Sequence, residues 1–220
     1  MAVDSGSGLA DEPMVLKVAF DPQMEFRQNV IRSVRAALKR VRGQTEGPVD
    51  EARERALHVL NFALKMPEAW SDTHDLVAVM ATQMEQAVTH ESWISCLKRA
   101  IALSQEIDDE AAQAELSLRL GFLFQLRGDF ASANTCYATS AKLFARNGNQ
   151  RKYATALNRQ AFVAYRANRY SDVMPLIELV EQILPEEDPE RAVSYMVLGW
   201  LEVEKRDWQK SIDYFMRALQ

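Results

Sequence analysis

The chain has 220 residues, 48% hydrophobic and 26% charged, enough for one ordinary domain or one repeat array with a sizeable core. A net charge of −5 excludes a global basic field that recruits nucleic acid, and no apolar run approaches the roughly 20 residues that span a bilayer. The N-terminus lacks the charged-then-apolar order of a secretory signal. Cys96 and Cys136 lie inside helical patterns rather than a disulfide framework, so a reducing cytoplasm is the expected location.

In chain order, residues 1–21 read as a flexible or extended leader, with a weak alternation over Val15 to Phe20. From about Met24 to Val41 an amphipathic helix is expected, with Phe26, Val30, Ile31, Val34, Leu38 and Val41 on one stripe. Its other face carries Arg27, Arg32, Arg35, Lys39, Arg40 and Arg42, which makes the basic helix 24–42 the only candidate for contact with nucleic acid or an acidic membrane. A helix that covers one end of a helical array with a solvated Arg face explains it better, because the stripe lacks the Trp and Leu density of interfacial helices. Ala52 to Met66, Asp72 to Val88 and Ser92 to Ile107 are further helices, the first closed by Pro67.

The second half repeats itself. Leu120 to Tyr137 returns as Leu198 to Phe215 and, more weakly, as Gln160 to Ile177, so that Gly121, Ala161 and Gly199 fall 40 and 38 residues apart. Self-similarity at this period marks a stacked array of helical pairs. In the first copy Leu116, Leu120, Leu123 and Phe124 form one helical stripe and Phe130, Ala133, Tyr137, Ala141 and Phe144 another. Between them Gly128 can take the left-handed conformation that ends a helix, and Asp129 can cap the next. Small residues at 121, 161 and 199 let a neighbouring helix approach. Phe130, Tyr170 and Trp208 are expected to plug the gap at the start of each second helix.

This pattern resembles the tetratricopeptide repeat. The last copy carries the resemblance with Tyr195, Leu198, Gly199, Trp208, Ser211, Phe215 and Ala218. The first carries it with Leu120, Gly121, Phe124, Ala133 and Tyr137, although Ser140 and Ala145 stand where Ala and Pro are usual. The middle copy keeps Ala161, Tyr170 and Pro185. The resemblance covers residues 109–220 as units 109–147, 149–185 and 187–220, preceded by N-terminal helices and a degenerate repeat over 22–108. A period near 40 is longer than the usual ~34 and is similar to that of bacterial regulators. The resemblance implies an all-α, right-handed superhelix of about five helical pairs.

It also implies a binding surface. In the family's helical phase, the first helix of each pair exposes Phe122, Phe162 and Trp200 on the concave face. Gln125, Tyr165 and Val203 follow one turn later, and Asn158 and Arg159 lie one turn earlier. The three rings either form a ladder for an extended peptide or a partner's apolar helix, or pack against neighbouring helices as core. The basic residues that clamp a C-terminal carboxylate in some chaperone-binding members are absent as a set.

No catalytic or metal-binding residue can be named, and no cofactor is implied. His58, His74 and His90 are not spaced with Cys or Glu as a metal site requires, and the sequence has no Gly-rich phosphate loop or nucleophile elbow. The expected function is therefore non-catalytic binding of a protein or peptide, as the regulatory or sensor part of a longer protein. The alternative is a structural scaffold that self-assembles as a homo-oligomer through the end of the array. Phe215 to Gln220 contains no helix terminator, while Leu198, Trp208, Phe215 and Leu219 are densely apolar. The native chain is thus expected to continue past Gln220.

Overall fold

The computed structural model describes residues 21–43, 49–86 and 90–219. The leader expected before Asp21 and the end of the helix expected over 72–88 lie outside them. Among the described residues there are ten α-helices: α1 (Pro22–Gly43), α2 (Val49–Ala63), α3 (Trp70–Glu85), α4 (Glu91–Glu106), α5 (Glu110–Leu126), α6 (Phe130–Arg146), α7 (Gln150–Arg166), α8 (Val173–Ile183), α9 (Arg191–Glu204) and α10 (Trp208–Ala218). Short 3-10 turns at Pro67–Ala69 and Tyr170–Asp172 precede α3 and α8. The described residues contain no strand. Each helix packs on its neighbours in the chain or on the next but one, as in α1 on α3 and α7 on α9.

Apolar spacing fixes the faces. One buried cluster runs through the first five helices and includes Val34, Leu60, Leu76, Met80, Trp93, Leu97 and Leu123. On α1 the buried stripe is Val30, Val34, Leu38 and Val41, whereas Phe26, expected on that stripe, is exposed. Three of the six basic residues on the other face of α1 form exposed ion pairs with carboxylates near and on α3. Arg27 pairs with Glu68 at 3.2 Å, Arg35 with Asp72 at 2.7 Å and Arg42 with Asp75 at 3.0 Å.

From α4 onward the helices are joined by one recurrent turn, except α8 to α9, where Leu184 leaves α8 in extended backbone. Asp108, Gly128, Gly148, Asn168 and Arg206 adopt φ of 57°, 75°, 70°, 57° and 62°. After each, the next N–H bonds to a carbonyl five residues back: Asp109 to Ser104 (2.8 Å), Asp129 to Phe124, Asn149 to Phe144 and Arg169 to Ala164 (each 2.9 Å), and Asp207 to Glu202 (3.0 Å). This is the hydrogen bond that closes a helix on a left-handed residue. In four of the five turns the same residue opens the next helix. Oδ1 of Asp109, Asp129, Asn149 and Asp207 accepts from the backbone N–H of Ala112, Ser132, Lys152 and Lys210, satisfying a donor that the helix cannot. Arg169 has no such oxygen, and there the chain enters a 3-10 turn before α8.

The tight turns bring successive helices together. Tyr137 is fully buried, as are Ala133, Ala141 and Phe144 of the same stripe. Ser140, where the resemblance expects Ala, is also buried and donates from Oγ to the Ala114 carbonyl at 2.9 Å. A serine is tolerated there because its hydroxyl has a partner on α5. Phe130 and Tyr170 are half-buried at the starts of α6 and the α8 segment. Trp208 departs from the expectation that it plugs a gap. It is 61% exposed: α10 packs chiefly on α9, with Arg217 reaching Glu186, and Ser211 is the residue it buries.

Candidate functional site

The expected partner-binding residues sit on α5, α7 and α9, whose order in the fold brings α7 against α9. Three of them form one cluster. The Phe162 ring meets Trp200 edge-on with centroids 5.7 Å apart, and Tyr165 stacks on Trp200 at 6.0 Å and 19°. Edge-to-face and offset geometries are those favoured by the ring quadrupoles. Tyr165 Oη donates to Glu204 Oε1 at 3.2 Å. Burial, and then the Glu204 carboxylate, push the Tyr165 hydroxyl upward, so it remains a donor at neutral pH. Phe162, Tyr165 and Trp200 are all half-buried, backed by Ala161, Ala164, Val197 and Leu201. Val203, one turn beyond Trp200, is half-buried as well.

Phe122 does not join the other rings. It is half-buried on α5, and what lies over it is the Arg159 guanidinium, 5.8 Å from its centroid. Phe122 and Arg159 line a cavity of about 270 Å³ with Glu85, Glu115, Arg119 and Lys152. Four of those charges neutralise one another across helices. Arg119 pairs with Glu85 at 3.0 Å and Lys152 with Glu115 at 2.8 Å. Gln125 is engaged internally, since its Oε1 accepts from Tyr137 Oη at 2.8 Å.

Asn158 differs from the accessible position expected for it. It is 0% exposed. Its Nδ2 donates to the Glu190 carbonyl and to Glu190 Oε1, both at 3.0 Å, while its Oδ1 accepts from Ser194 Oγ at 2.8 Å. These bonds tie α7 to the start of α9, which is why the side chain turns inward: a buried amide must find partners.

Three further residues belong to the face. Arg166 lies over Phe130 at 5.3 Å and over Phe162 at 5.9 Å, and Tyr170 approaches Tyr165 at 5.9 Å. The spacing of Arg159, Phe162 and Arg166 (i, i+3, i+7) on one helix was the available signal.

Other chemistry is sparse. Among the described residues no group of three or more His, Cys, Asp and Glu could hold a metal ion. None of the described helices is long and apolar enough to cross a membrane. Burial pushes the Cys96 thiol up to about 12 and the Cys136 thiol up to about 11, which leaves both unreactive as nucleophiles at neutral pH. No family model matches the sequence, and no curated protein matches it.

Proposed function

We infer that the chain is a tetratricopeptide-like array, a right-handed superhelix of about five helical pairs, and that its concave face holds an extended segment of another protein. The recurrent left-handed turn and the packing of each helix on near neighbours support the array. The observation that carries the binding reading is the contiguous, half-buried cluster of Phe162, Tyr165 and Trp200 across α7 and α9. Rigid aromatic groups with one face open supply large contact area at low entropic cost. Phe122, Gln125, Arg159 and Val203 extend the face, and Asn158 supports it from within. A non-catalytic, regulatory role in the cytoplasm completes this reading, and the two free cysteines fit a reducing compartment.

Selection of a displayed peptide library against the folded protein tests it. Selected peptides should lose about 30-fold in affinity on Phe162→Ala or Trp200→Ala, the loss typical of an anchor residue, with the variants still folded. If the variants melt early while their folded fraction binds as tightly as wild type, the rings are core and the reading fails.

A second reading, a self-assembling scaffold, is favoured by α10. Trp208, Ile212, Met216 and Leu219 are all exposed there, Leu219 at 82%, and their spacing puts them on one face. Light scattering across a concentration series decides it: a mass that rises with concentration, and falls back on Ile212→Lys, supports assembly through this helix.

A further inference from the structure

The binding face carries two cations held ready and unspent. Arg159 and Arg166 lie on α7 with Phe162 between them on one stripe. Arg159 rests over Phe122 at 5.8 Å, and Arg166 over Phe130 at 5.3 Å and Phe162 at 5.9 Å, all within the ~6 Å reach of a cation–π contact. Neither guanidinium has a carboxylate within ion-pair distance among the described residues. The neighbouring charges are already matched: Arg119 with Glu85 and Lys152 with Glu115. Glu204 accepts from Tyr165. The rings hold both guanidinium groups within cation–π distance, and among the described residues neither is engaged by a carboxylate, so each can meet one from a ligand.

Resting on the binding face proposed above, the geometry points to an acidic ligand: an extended, polyproline-II-like segment of another protein with carboxylates three residues apart and an apolar residue between them. Two turns of α7 separate the arginines by about 10 Å along the axis. A polyproline-II chain has three residues per turn and rises about 3.1 Å per residue, so positions i and i+3 share one side about 9 Å apart. The apolar residue after a carboxylate, turned about 120° from that side, then meets the Trp200 edge of the ring cluster, and aromatic-lined faces accept this conformation readily because it is already ordered. A single-stranded nucleic acid would also stack on rings beside arginines. Its continuous phosphate charge calls for a run of cations, whereas this face offers Arg159 and Arg166 as its unpaired ones, Arg119 and Lys152 being matched with Glu85 and Glu115.

The test uses the whole chain and two end-blocked, fluorescently labelled peptides, one repeating Glu-Leu-Pro and the other Gln-Leu-Pro, read by polarisation. The Glu peptide should bind about tenfold more tightly, the scale of a charge-assisted hydrogen bond. That preference should shrink between about 50 mM and about 500 mM salt as the Debye length shortens. Arg159→Gln with Arg166→Gln should abolish the preference, so that the two peptides bind the variant with equal affinity, and Arg159→Lys with Arg166→Lys should retain part of it. Equal affinity of wild type for both peptides overturns the acidic preference and leaves the face itself standing. Absence of saturable binding of the Glu peptide overturns the inference, while the library selection decides the face independently. Tighter binding of a single-stranded oligouridylate than of the Glu peptide overturns it too.

Discussion

Gly199 lies so close beneath the Phe215 ring that a Cβ added to it would sit 2.5 Å from Phe215 Cε1. Gly121 stands in the same relation to Tyr137, at 2.7 Å, in the first repeat. The two contacts differ in what surrounds them. Tyr137 is 0% exposed and anchored through its hydroxyl to Gln125, whereas Phe215 is half-buried on α10. An alanine gains about 1 kcal/mol in helix propensity over glycine, and overpacking costs about 1–3 kcal/mol where the neighbour cannot yield. Gly121→Ala should therefore destabilise by up to about 2 kcal/mol, while Gly199→Ala, beside a half-buried ring with room to yield, should come out near neutral. Urea denaturation of both variants checks this; equal losses would mean that Phe215 is held as firmly as Tyr137.

The exposure of Trp208 predicts a small effect where its repeat position alone predicts a large one. Trp208→Ala should change stability by about 0.5 kcal/mol or less, as for other surface substitutions. Phe130→Ala removes a ring packed among Ala133, Tyr137 and Val163 and covered by Arg166, and should cost about 2 kcal/mol, short of the full core range because the ring is half-buried. Thermal unfolding that ranks the two in the opposite order would contradict the packing described.

The helix starts make stability depend on acid. At Asp129 and Asp207 the hydrogen bonds to Ser132 and Lys210 hold the carboxyls below the ordinary value of 3.8. At Asp109 partial burial works the other way, but the Ala112 N–H, with Trp70 Nε1 at 2.8 Å, still brings it below that value. A carboxyl depressed in the folded state stabilises above its unfolded pKa and loses that contribution as pH falls through the folded pKa. The melting temperature should thus decline below about pH 4, the unfolded carboxylate range. Asp109→Asn, which keeps a capping oxygen, should flatten the decline. Asp109→Ala should cost about 1 kcal/mol at neutral pH through the lost cap. A melting temperature constant from neutral pH to acid would refute the role given to these caps.

Asn158 separates support from contact. With three hydrogen bonds inside the α7–α9 junction, Asn158→Ala should lose about 2–3 kcal/mol, the penalty for leaving buried polar partners unmatched. The affinity of the folded fraction for a bound peptide should stay near wild type. Unchanged stability with lost binding would place the side chain in the ligand's path.

Much of this architecture is written locally. The Gly128-Asp129 turn, the stripes of α5 and α6, and the close approaches at Gly121 and Gly199 follow from residues whose neighbours in space are also neighbours in the repeat. The recurrence of the turn at 108, 128, 148 and 168 is harder to read, because Asp, Gly and Asn all tolerate φ > 0 and no single letter repeats. Arg206 at φ 62° is harder still. Trp208 and Asn158 escaped for another reason. A repeat position states which way a side chain points, but burial depends on whether a further helix covers it, and an amide turns inward only when Glu190 and Ser194 meet it from α9. Arg166 was missed on the face because a charged residue at a helix end ordinarily reads as solvated, and only the packing of α6 places Phe130 beneath it.

The most direct test of the central claim, that Phe162, Tyr165 and Trp200 face a partner, uses the four tryptophans as reporters. Trp93 lies in the core, Trp70 is bonded to Asp109, Trp200 is on the ring cluster, and Trp208 is on α10. In protein labelled with 5-fluorotryptophan, each gives one fluorine resonance, assigned by single Trp→Phe variants. Titration with a selected peptide should move the Trp200 line, and leave those of Trp70, Trp93 and Trp208 in place. A titration that saturates with the Trp200 line unmoved, above all one that shifts Trp208 instead, would contradict the account and move the interaction to α10.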